Sequence, residues 1–264
     1  MQLRLFQVDA FTETLFGGNP AAVVPLTEWL PDALMQNIGM ENNLAETAFF
    51  LPTEGGFQLR WFTPAIEVDL CGHATLASAH VLFQHLGYHK EQIHFFTRSG
   101  ELIVERAEKG YRMDFPADRL EPLPAPQPLK EGLGCEPLEV YKGREDYLVV
   151  LGSEEEVRGL QPNFRTLAAL GGRGVIATAP GEEVDFVSRC FFPAAGIDED
   201  PVTGSAHTTL TPYWGERLGK DALRARQLSR RGGELLCERH GQRVHLIGSA
   251  VTYLEGSIHL PDWD

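Results

Sequence analysis

The stretch RWFTPAIEVDLCGHATLASAHVLF (60–83) returns in altered form as RCFFPAAGIDEDPVTGSAHTTLTPYW (189–214). In both copies an aromatic strand ends at a proline, acidic residues follow, and a glycine-containing turn leads into a helix. A second pair, RSGELIVER (98–106) and RGGELLCER (231–239), recurs at nearly the same spacing along the chain. Two motifs repeated in the same order indicate an internal duplication, and therefore two lobes of similar fold.

Strand patterns dominate both halves, as in LRLFQVDAF (3–11) and YLVVLG (147–152). Each half also has one long helix pattern rich in small residues, expected at about 73–86 and about 205–218. Alanine, serine and threonine let surrounding strands approach such a helix closely. The sequence therefore predicts an α+β fold in which each lobe wraps a sheet around one central helix. Two shorter helices are expected at 31–40 and 163–170.

The proline-rich stretch DRLEPLPAPQPLKEG (118–132) is predicted to be the linker between the lobes, because prolines interrupt sheets and helices. This gives an N-terminal lobe at 1–118 and a C-terminal lobe at 119–264, whose last strand is free to pack back on the first lobe. LFGGNPAAVV (15–24) is predicted to be a loop between strands. Pro212 is expected to kink or shorten the second long helix.

Composition points to a soluble globular protein with small-molecule partners. The chain has 264 residues, of which 43% are hydrophobic and 23% charged. It shows no signal-peptide pattern and no apolar run long enough for a membrane span, so a cytoplasmic location is expected. The net charge of −14 argues against binding to nucleic acid, since the basic stretch RARQLSRRGG (224–233) is short and isolated.

Neither a metal nor a cofactor is expected. The four cysteines lie far apart and form no CxxC, so neither a disulfide framework nor a structural metal is indicated. The chain has no GxGxxG fingerprint of a dinucleotide site and no P-loop.

The turns CGHAT (71–75) and TGSAH (203–207) each place a glycine before a helix. The first-turn N–H groups of a helix lack partners within the helix and bind anions, which gains about 0.3–1 kcal/mol for each helix end. The plain alternative is that both turns are only good helix starts. Duplication favours the functional interpretation, with both ends facing one cleft between the lobes.

Polar side chains beside these turns are candidates for chemistry. His73 is a candidate acid or base, or simply a hydrogen-bonding residue of the first turn. Cys71 is a candidate nucleophile, but no His–Asn pair completes a papain-type set. Asp198, Glu199 and Asp200 precede the second turn, where such clusters are usually solvated. The Asp-Pro bond nevertheless fixes the carboxylate of Asp200 beside the helix start.

Another acidic candidate lies in MENNLAETAFFLP (40–52). Glu46 begins an apolar strand, so its carboxyl group is expected to be half enclosed and suited to general-base work. By composition alone, a surface glutamate is the simpler interpretation.

Four motifs together resemble the PhzF-like (phenazine biosynthesis PhzC/PhzF) isomerase family of the diaminopimelate-epimerase-like superfamily. They are DAFT…GGNPAAV (9–23), NLAETAF (43–49), FTP…CGHATL (62–76) and DPVTGSAH (200–207), in the family's order. The resemblance implies two pseudo-symmetric lobes, each with a curved, mostly antiparallel sheet around a central helix, and an active site in the cleft between them.

The resemblance also implies roles for individual residues. It gives Glu46 the task of moving a proton between carbons. The catalytic residues implied are Glu46, His73, Asp200 and Ser205, and the substrate-binding residues are Asn19, Gly72, Thr203 and Gly204. Related epimerases and proline racemases use two cysteines, one from each lobe. Here the first position is Cys71 but the second motif offers Thr203, so a two-cysteine racemase is not expected.

The function expected is a cofactor-independent isomerase that transfers a proton between carbons of a small carboxylate. Two alternatives stay open: a racemase or epimerase of an amino or hydroxy acid, and a non-catalytic member that binds a small molecule or a protein. A homodimer is compatible with the implied fold. The substrate itself is not identified by the sequence.

Overall fold

The computed structural model describes residues 1–261, which form two compact units. The first unit takes Met1–Asp114 and the residues from Ile247 onward, and the second takes Phe115–Leu246. The second unit thus begins a few residues before 118, and the chain returns to the first unit for its last strand.

The first unit contains nine strands and two helices among the described residues. These are β1 (Gln2–Ala10), β2 (Asn19–Pro25), α1 (Asp32–Asn42), β3 (Glu46–Thr53), β4 (Gly56–Phe62), β5 (Glu67–Val68), α2 (Gly72–His85), β6 (Gln92–Thr97), β7 (Gly100–Arg106), β8 (Tyr111–Pro116), which crosses the boundary, and β18 (Ala250–His259). Strand β18 pairs antiparallel with β1 over the whole length of β1, from Gln2 opposite His259 to Ala10 opposite Ala250.

The second unit contains a short 3₁₀ helix at Pro193–Ala195 and the remaining strands and α-helices. These are β9 (Glu121–Pro122), α3 (Gln127–Leu133), β10 (Glu139–Lys142), β11 (Asp146–Val150), α4 (Glu154–Gly159), α5 (Phe164–Ala168), β12 (Gly174–Pro180), β13 (Phe186–Phe192), β14 (Ile197–Asp200), α6 (Gly204–Leu218), β15 (Ala222–Gln227), β16 (Gly233–His240) and β17 (Arg243–Gly248), which crosses the boundary. The helices expected at 31–40 and 163–170 are confirmed as α1 and α5.

The two units share one strand-pairing pattern. In the first unit β1–β2 is antiparallel, β2–β3 parallel, β3–β4 antiparallel and β4–β6 parallel. In the second, β10–β11, β11–β12, β12–β13 and β13–β15 repeat that series. The duplication inferred from the sequence is therefore confirmed in the order and direction of the strands.

The long helices are the most buried elements of their units. In α2 every residue from His73 to Phe83 is buried, and most of these are small or apolar. In α6 the buried residues include Gly204, Ala206 and Thr211. Small side chains allow strands to pack closely around each helix. The fold is therefore α+β with one central helix in each unit, as predicted.

Two predicted segments differ from the structure. The stretch 15–24 is a loop only as far as residue 18, because β2 begins at Asn19 and pairs with both β1 and β3. Its apolar run of alanine and valine is buried, and Pro20 lies near the strand's start, where a missing N–H is tolerated. The expected linker at 118–132 contains β9 and most of α3, whose proline occupies the helix's first turn.

Pro212 does not shorten α6, which continues to Leu218. Proline removes the hydrogen bond to the carbonyl four residues earlier, that of Thr208. In the structure this carbonyl accepts a hydrogen bond from the backbone N–H of Asp118 at 3.2 Å. The lost helix bond is thus replaced by a contact to another segment of the same unit.

All helices of the described chain are short. The two longest, α2 and α6, have 14 and 15 residues. Within residues 1–261, no helix combines the length and the hydropathy that crossing a bilayer requires.

Candidate active site

Glu46 is drawn into the interior of the first unit by the strand that it begins. The next residues of β3, among them Ala48 and Phe49, belong to the core, and they anchor the strand at its buried end. Glu46 itself is only 8% exposed. A carboxyl group held there meets few water molecules and a fixed set of neighbours.

His73 lies beside this carboxyl group, in the first turn of α2. Its Nε2 atom is 3.0 Å from Oε2 of Glu46, and the residue is 5% exposed. The contact does not have the alignment of a hydrogen bond, and neither atom makes another hydrogen bond within the described chain. On the other side of the ring, Nδ2 of Asn19 lies 3.2 Å from Nδ1. The structure therefore brings together Asn19, Glu46, Gly72 and His73.

The imidazole is biased toward its charged form. Burial acts to lower the pKa of His73, but the Cys71 and Glu46 side chains outweigh it and hold that pKa well above its usual range. Glu46 is the neighbour whose charge matters, because the Cys71 thiol is neutral near neutral pH. The Glu46 carboxylate therefore favours the imidazolium form of His73.

Cys71 is the residue before α2, and its sulfur lies 3.5 Å from Nδ1 of His73. Burial, and then the nearby Glu46 carboxylate, raise the pKa of the thiol to about 11. A nucleophilic or basic cysteine needs a thiolate. The geometry therefore favours the interpretation of Cys71 as a packing neighbour of His73.

The same three side chains offer a possible set of metal ligands. One donor atom each from Glu46, Cys71 and His73 lies within 4.8 Å of the other two. Sulfur, nitrogen and oxygen donors together suit zinc. The cluster could thus hold an ion, although its carboxylate–imidazole contact already gives it a proton-transfer arrangement without one.

In the second unit, the predicted residues surround the start of α6. The hydroxyl of Thr203 donates to Oδ2 of Asp200 at 2.5 Å. The buried side chain of Gln227 fastens both residues: its Oε1 accepts the N–H of Thr203 at 2.9 Å, and its Nε2 donates to the carbonyl of Asp200 at 2.7 Å. The sequence did not predict a role for Gln227. The only feature that could have indicated one is its buried position at the end of β15, a strand that was not predicted.

The acidic cluster before α6 separates into three environments. Asp198 is exposed, and Glu199 forms a two-bond ion pair with Arg189 at 2.7 and 2.9 Å. Asp200 is buried beneath Thr203. Of the three candidates, Asp200 is therefore the one held at the helix start.

Ser205 has a partner that the sequence did not predict. Its hydroxyl accepts a hydrogen bond from Arg173 at 3.0 Å, and the same guanidinium forms an ion pair with the buried Asp146. Arg173 lies in the glycine-rich turn before β12, where it has no recognisable motif. A fixed cation beside the first turn of α6 adds positive charge where the helix dipole is already positive.

The duplication identifies what stands in the second unit at the place of Glu46. Trp61 and Cys190 occupy the same position in the sequence repeat. Ala48 is opposite Trp61 in the first unit and Ile176 is opposite Cys190 in the second, so Ala48 and Ile176 are equivalent. Two residues earlier in each strand, Gly174 therefore occupies the position equivalent to Glu46. A Cβ atom on Gly174 would lie 2.2 Å from Cδ1 of Phe192 and 2.3 Å from the carbonyl oxygen of Phe191. The second unit therefore has no carboxylate there and no room for one.

The residues before the two central helices, Cys71 and Thr203, are also equivalent. Both have extended backbones, and neither side chain caps its helix. The first-turn N–H groups of α2 and α6 thus donate no capping hydrogen bond to these side chains, which leaves both helix ends suited to anions.

The fold is diaminopimelate-epimerase-like, and the first unit carries a buried carboxylate–imidazole pair. A sequence profile described as phenazine biosynthesis-like protein, PhzC-PhzF, matches residues 8–256. The chain therefore belongs to the PhzF-like family, and it is an enzyme of the isomerase class.

Similar proteins cover nearly the whole chain. An uncharacterized isomerase of Pseudomonas aeruginosa is 52% identical over 260 residues, which are 98% of this chain and 100% of that protein. The crystal structure of a PhzF-family protein from Enterococcus faecalis is 49% identical, has a TM-score of 0.96 and matches over 98% of this chain and 100% of its own. A hydroxyproline epimerase from Agrobacterium vitis, 9% identical, shares the fold with a TM-score of 0.63 over 99% of this chain and 93% of that one.

Proposed function

We propose that this protein is a cofactor-independent isomerase that moves a proton between two carbons of a small carboxylate-bearing substrate. Glu46 is the proposed acid and base. The observation that carries the proposal is the buried contact between Glu46 and His73, at 3.0 Å, beside the uncapped start of α2.

In the proposed reaction, the Glu46 carboxylate accepts a proton from a carbon next to an unsaturated or carboxylated group. The electrons of the broken C–H bond form a new double bond, and those of the former double bond form a C–H bond at another carbon. Glu46 returns the proton there, so the enzyme ends the cycle unchanged. A base positioned in this way contributes about 10²–10⁴ in rate.

The neighbours of Glu46 have supporting tasks in this scheme. The imidazolium of His73 steadies the carboxylate before the transfer and stabilises negative charge that develops on the substrate. Asn19 packs against the imidazole ring, and the N–H groups around Gly72 bind a substrate oxygen. We propose Asp200, Thr203, Gly204 and Ser205 as substrate-orienting residues on the strength of the family resemblance.

One acid–base group is favoured over two. Inversion at a single carbon by a two-base mechanism needs a proton donor and a proton acceptor on opposite faces of that carbon. The second unit has Gly174 in the place of Glu46 and Thr203 in the place of Cys71, and the Cys71 thiol is neutral. These features support transfer by one carboxylate between different carbons.

The test is solvent-deuterium incorporation. The protein is incubated in D₂O with a panel of small cyclic and acyclic carboxylates, and proton NMR follows each carbon-bound hydrogen. We expect hydrogen to appear at a carbon other than the one that lost its proton, and deuterium to enter there to the extent that the proton held on Glu46 exchanges with solvent before its return. Glu46→Gln, which keeps the shape but loses the base, should slow the exchange by at least about 100-fold.

The matched control is Glu41→Gln, which alters an exposed glutamate of α1 in the same unit. It should leave exchange and thermal stability unchanged. Undiminished exchange in a folded Glu46→Gln protein would contradict the proposed role of Glu46. Exchange confined to one carbon with inversion would instead support the racemase alternative.

A further inference from the structure

A second cluster of metal-ligating side chains lies on the hairpin formed by β16 and β17, outside the candidate active site. Glu238 and His240 are two residues apart on β16, so their side chains project from the same face of the strand. His245 on β17 completes the group. One donor atom from each of the three lies within 4.8 Å of the other two.

The spacing of the donors is close to that of a metal site. Oε2 of Glu238 is 3.4 Å from Nε2 of His240 and 3.6 Å from Nδ1 of His245. Zinc binds such atoms at about 2.0–2.2 Å in a tetrahedron, which places neighbouring donors about 3.3 Å apart. These two distances are close to that spacing, and the His240 and His245 rings, whose centroids lie 4.2 Å apart, must rotate to direct both nitrogens at one ion.

The cluster is partly open to solvent. The His240 side chain is 53% exposed, and those of His245 and Glu238 are 24% and 25% exposed. Arg239 projects from the opposite face of β16 and pairs with Asp221 at 2.9 Å. An ion can thus approach from the exposed side of His240, while Nδ1 of His245 is enclosed and lines the inner side of the cluster.

We propose that Glu238, His240 and His245 form a binding site for a divalent transition-metal ion such as Zn²⁺. Two imidazoles and one carboxylate suit zinc, nickel and copper, whereas magnesium and calcium prefer oxygen donors alone. Three protein ligands leave at least one coordination position for water or an external ligand. The bound ion joins β16 to β17 near their turn.

Equilibrium dialysis and calorimetry of the chelator-treated full chain with ZnCl₂ test this site. We expect one equivalent of Zn²⁺ to be lost in His240→Ala and in His245→Ala, or its affinity to fall more than about tenfold, since even a residue behind a metal ligand contributes that much. His240→Cys, which keeps a zinc ligand, should retain the equivalent. Magnesium chloride should not compete.

Two controls separate this site from other zinc sites. His89→Ala removes an exposed imidazole in the first unit and should leave zinc binding unchanged. Repeating the titrations in a Cys71→Ser background removes the sulfur ligand of the cluster in the candidate active site. Equal stoichiometry and affinity in the wild type and in a folded His240→Ala variant would overturn the proposal, as would full competition by magnesium.

Discussion

His207 is enclosed in the first turns of α6 with one hydrogen bond. Its Nδ1 atom lies 2.7 Å from the carbonyl oxygen of Thr203, and within the described chain Nε2 has no hydrogen-bond partner. Burial lowers the pKa of His207 to about 4, against the smaller opposing effect of the Thr203 carbonyl. The folded protein therefore holds this imidazole neutral.

This pKa predicts a loss of stability in mild acid. The unfolded chain binds a proton at His207 near pH 6.5, and the folded chain does not until about pH 4. His207 therefore does not reduce the free energy of unfolding above pH 6.5, and it reduces that free energy progressively as the pH falls from 6.5 to 4. At pH 4.5 this reduction in the free energy of unfolding is about 2–3 kcal/mol. Urea unfolding at pH 7 and 4.5 should show a smaller drop in His207→Gln, which can still donate to Thr203.

The control for this measurement is His89→Gln, whose exposed imidazole should not alter the drop. Equal pH dependence in the wild type and His207→Gln would contradict the assignment. His80 adds a similar effect, because burial and the nearby His85 lower its pKa to about 4 as well. The His207 variant should therefore reduce the drop without abolishing it.

Single residues were predictable from the sequence where a motif marked them, and not otherwise. Glu46 and His73 stood in recognisable motifs, but their 3.0 Å contact depends on how β3 and α2 pack, which spacing along the chain does not encode. Arg173, Asp146 and Gln227 stood in no motif. Their importance comes from long-range hydrogen bonds that only the folded chain creates.

At the level of elements, one buried hydroxyl group connects helix α6 to two strands. The indole N–H of Trp214 donates to Oγ1 of Thr178 on β12 at 2.9 Å. The same hydroxyl donates to the carbonyl of Val187 on β13 at 2.6 Å. Thr178 and Trp214 are both almost fully buried, so water cannot replace these bonds.

Thr178→Val should therefore destabilise the second unit by about 1–3 kcal/mol, because it leaves the buried indole N–H without a partner. A double-mutant cycle with Trp214→Phe isolates this bond. In the phenylalanine background no indole N–H remains, and the cost of Thr178→Val should be smaller by about 1 kcal/mol or more. Strictly additive costs in urea unfolding would show that the bond contributes nothing.

Elements were predictable where composition and repetition agreed. The helices expected at about 73–86 and about 205–218 are α2 and α6, with ends within one residue of the expected positions. Strand β2 was missed because the glycines before it and the proline at its start are typical of a turn. Strand β15 was missed because its arginines are typical of a solvated segment. In β15 the alternate residues Leu223, Ala225 and Gln227 are buried while the arginines between them are more exposed.

For the molecule as a whole, the last strand belongs to the first unit although it follows the second in the chain. Strand β18 forms the ladder along β1, and its Thr252 hydroxyl lies 2.9 Å from Nε2 of His80 on α2. A hydrophobic core cluster made of second-unit residues includes Val149, Val157 and Phe191. Each unit thus has its own set of stabilising contacts.

A chain that ends at Gly248 should for this reason lose structure unevenly. Without β18, the backbone groups of β1 that faced it lose their partners, and hydrogen–deuterium exchange of peptides from β1 to β3 should quicken strongly. Peptides from β11 to β13 should keep most of their protection. Unchanged protection of β1, or equal loss in both sets of peptides, would contradict this division.

The glycine at position 174 limits how the second unit can be redesigned. Phe192 and the Phe191 carbonyl fill the space that any side chain at this position would need. A carboxylate equivalent to that of Glu46 cannot be introduced by substituting Gly174 alone. An engineer who wants a second carboxylate there must first rebuild the end of β13, so the asymmetry between the halves is fixed by packing as well as by residue type.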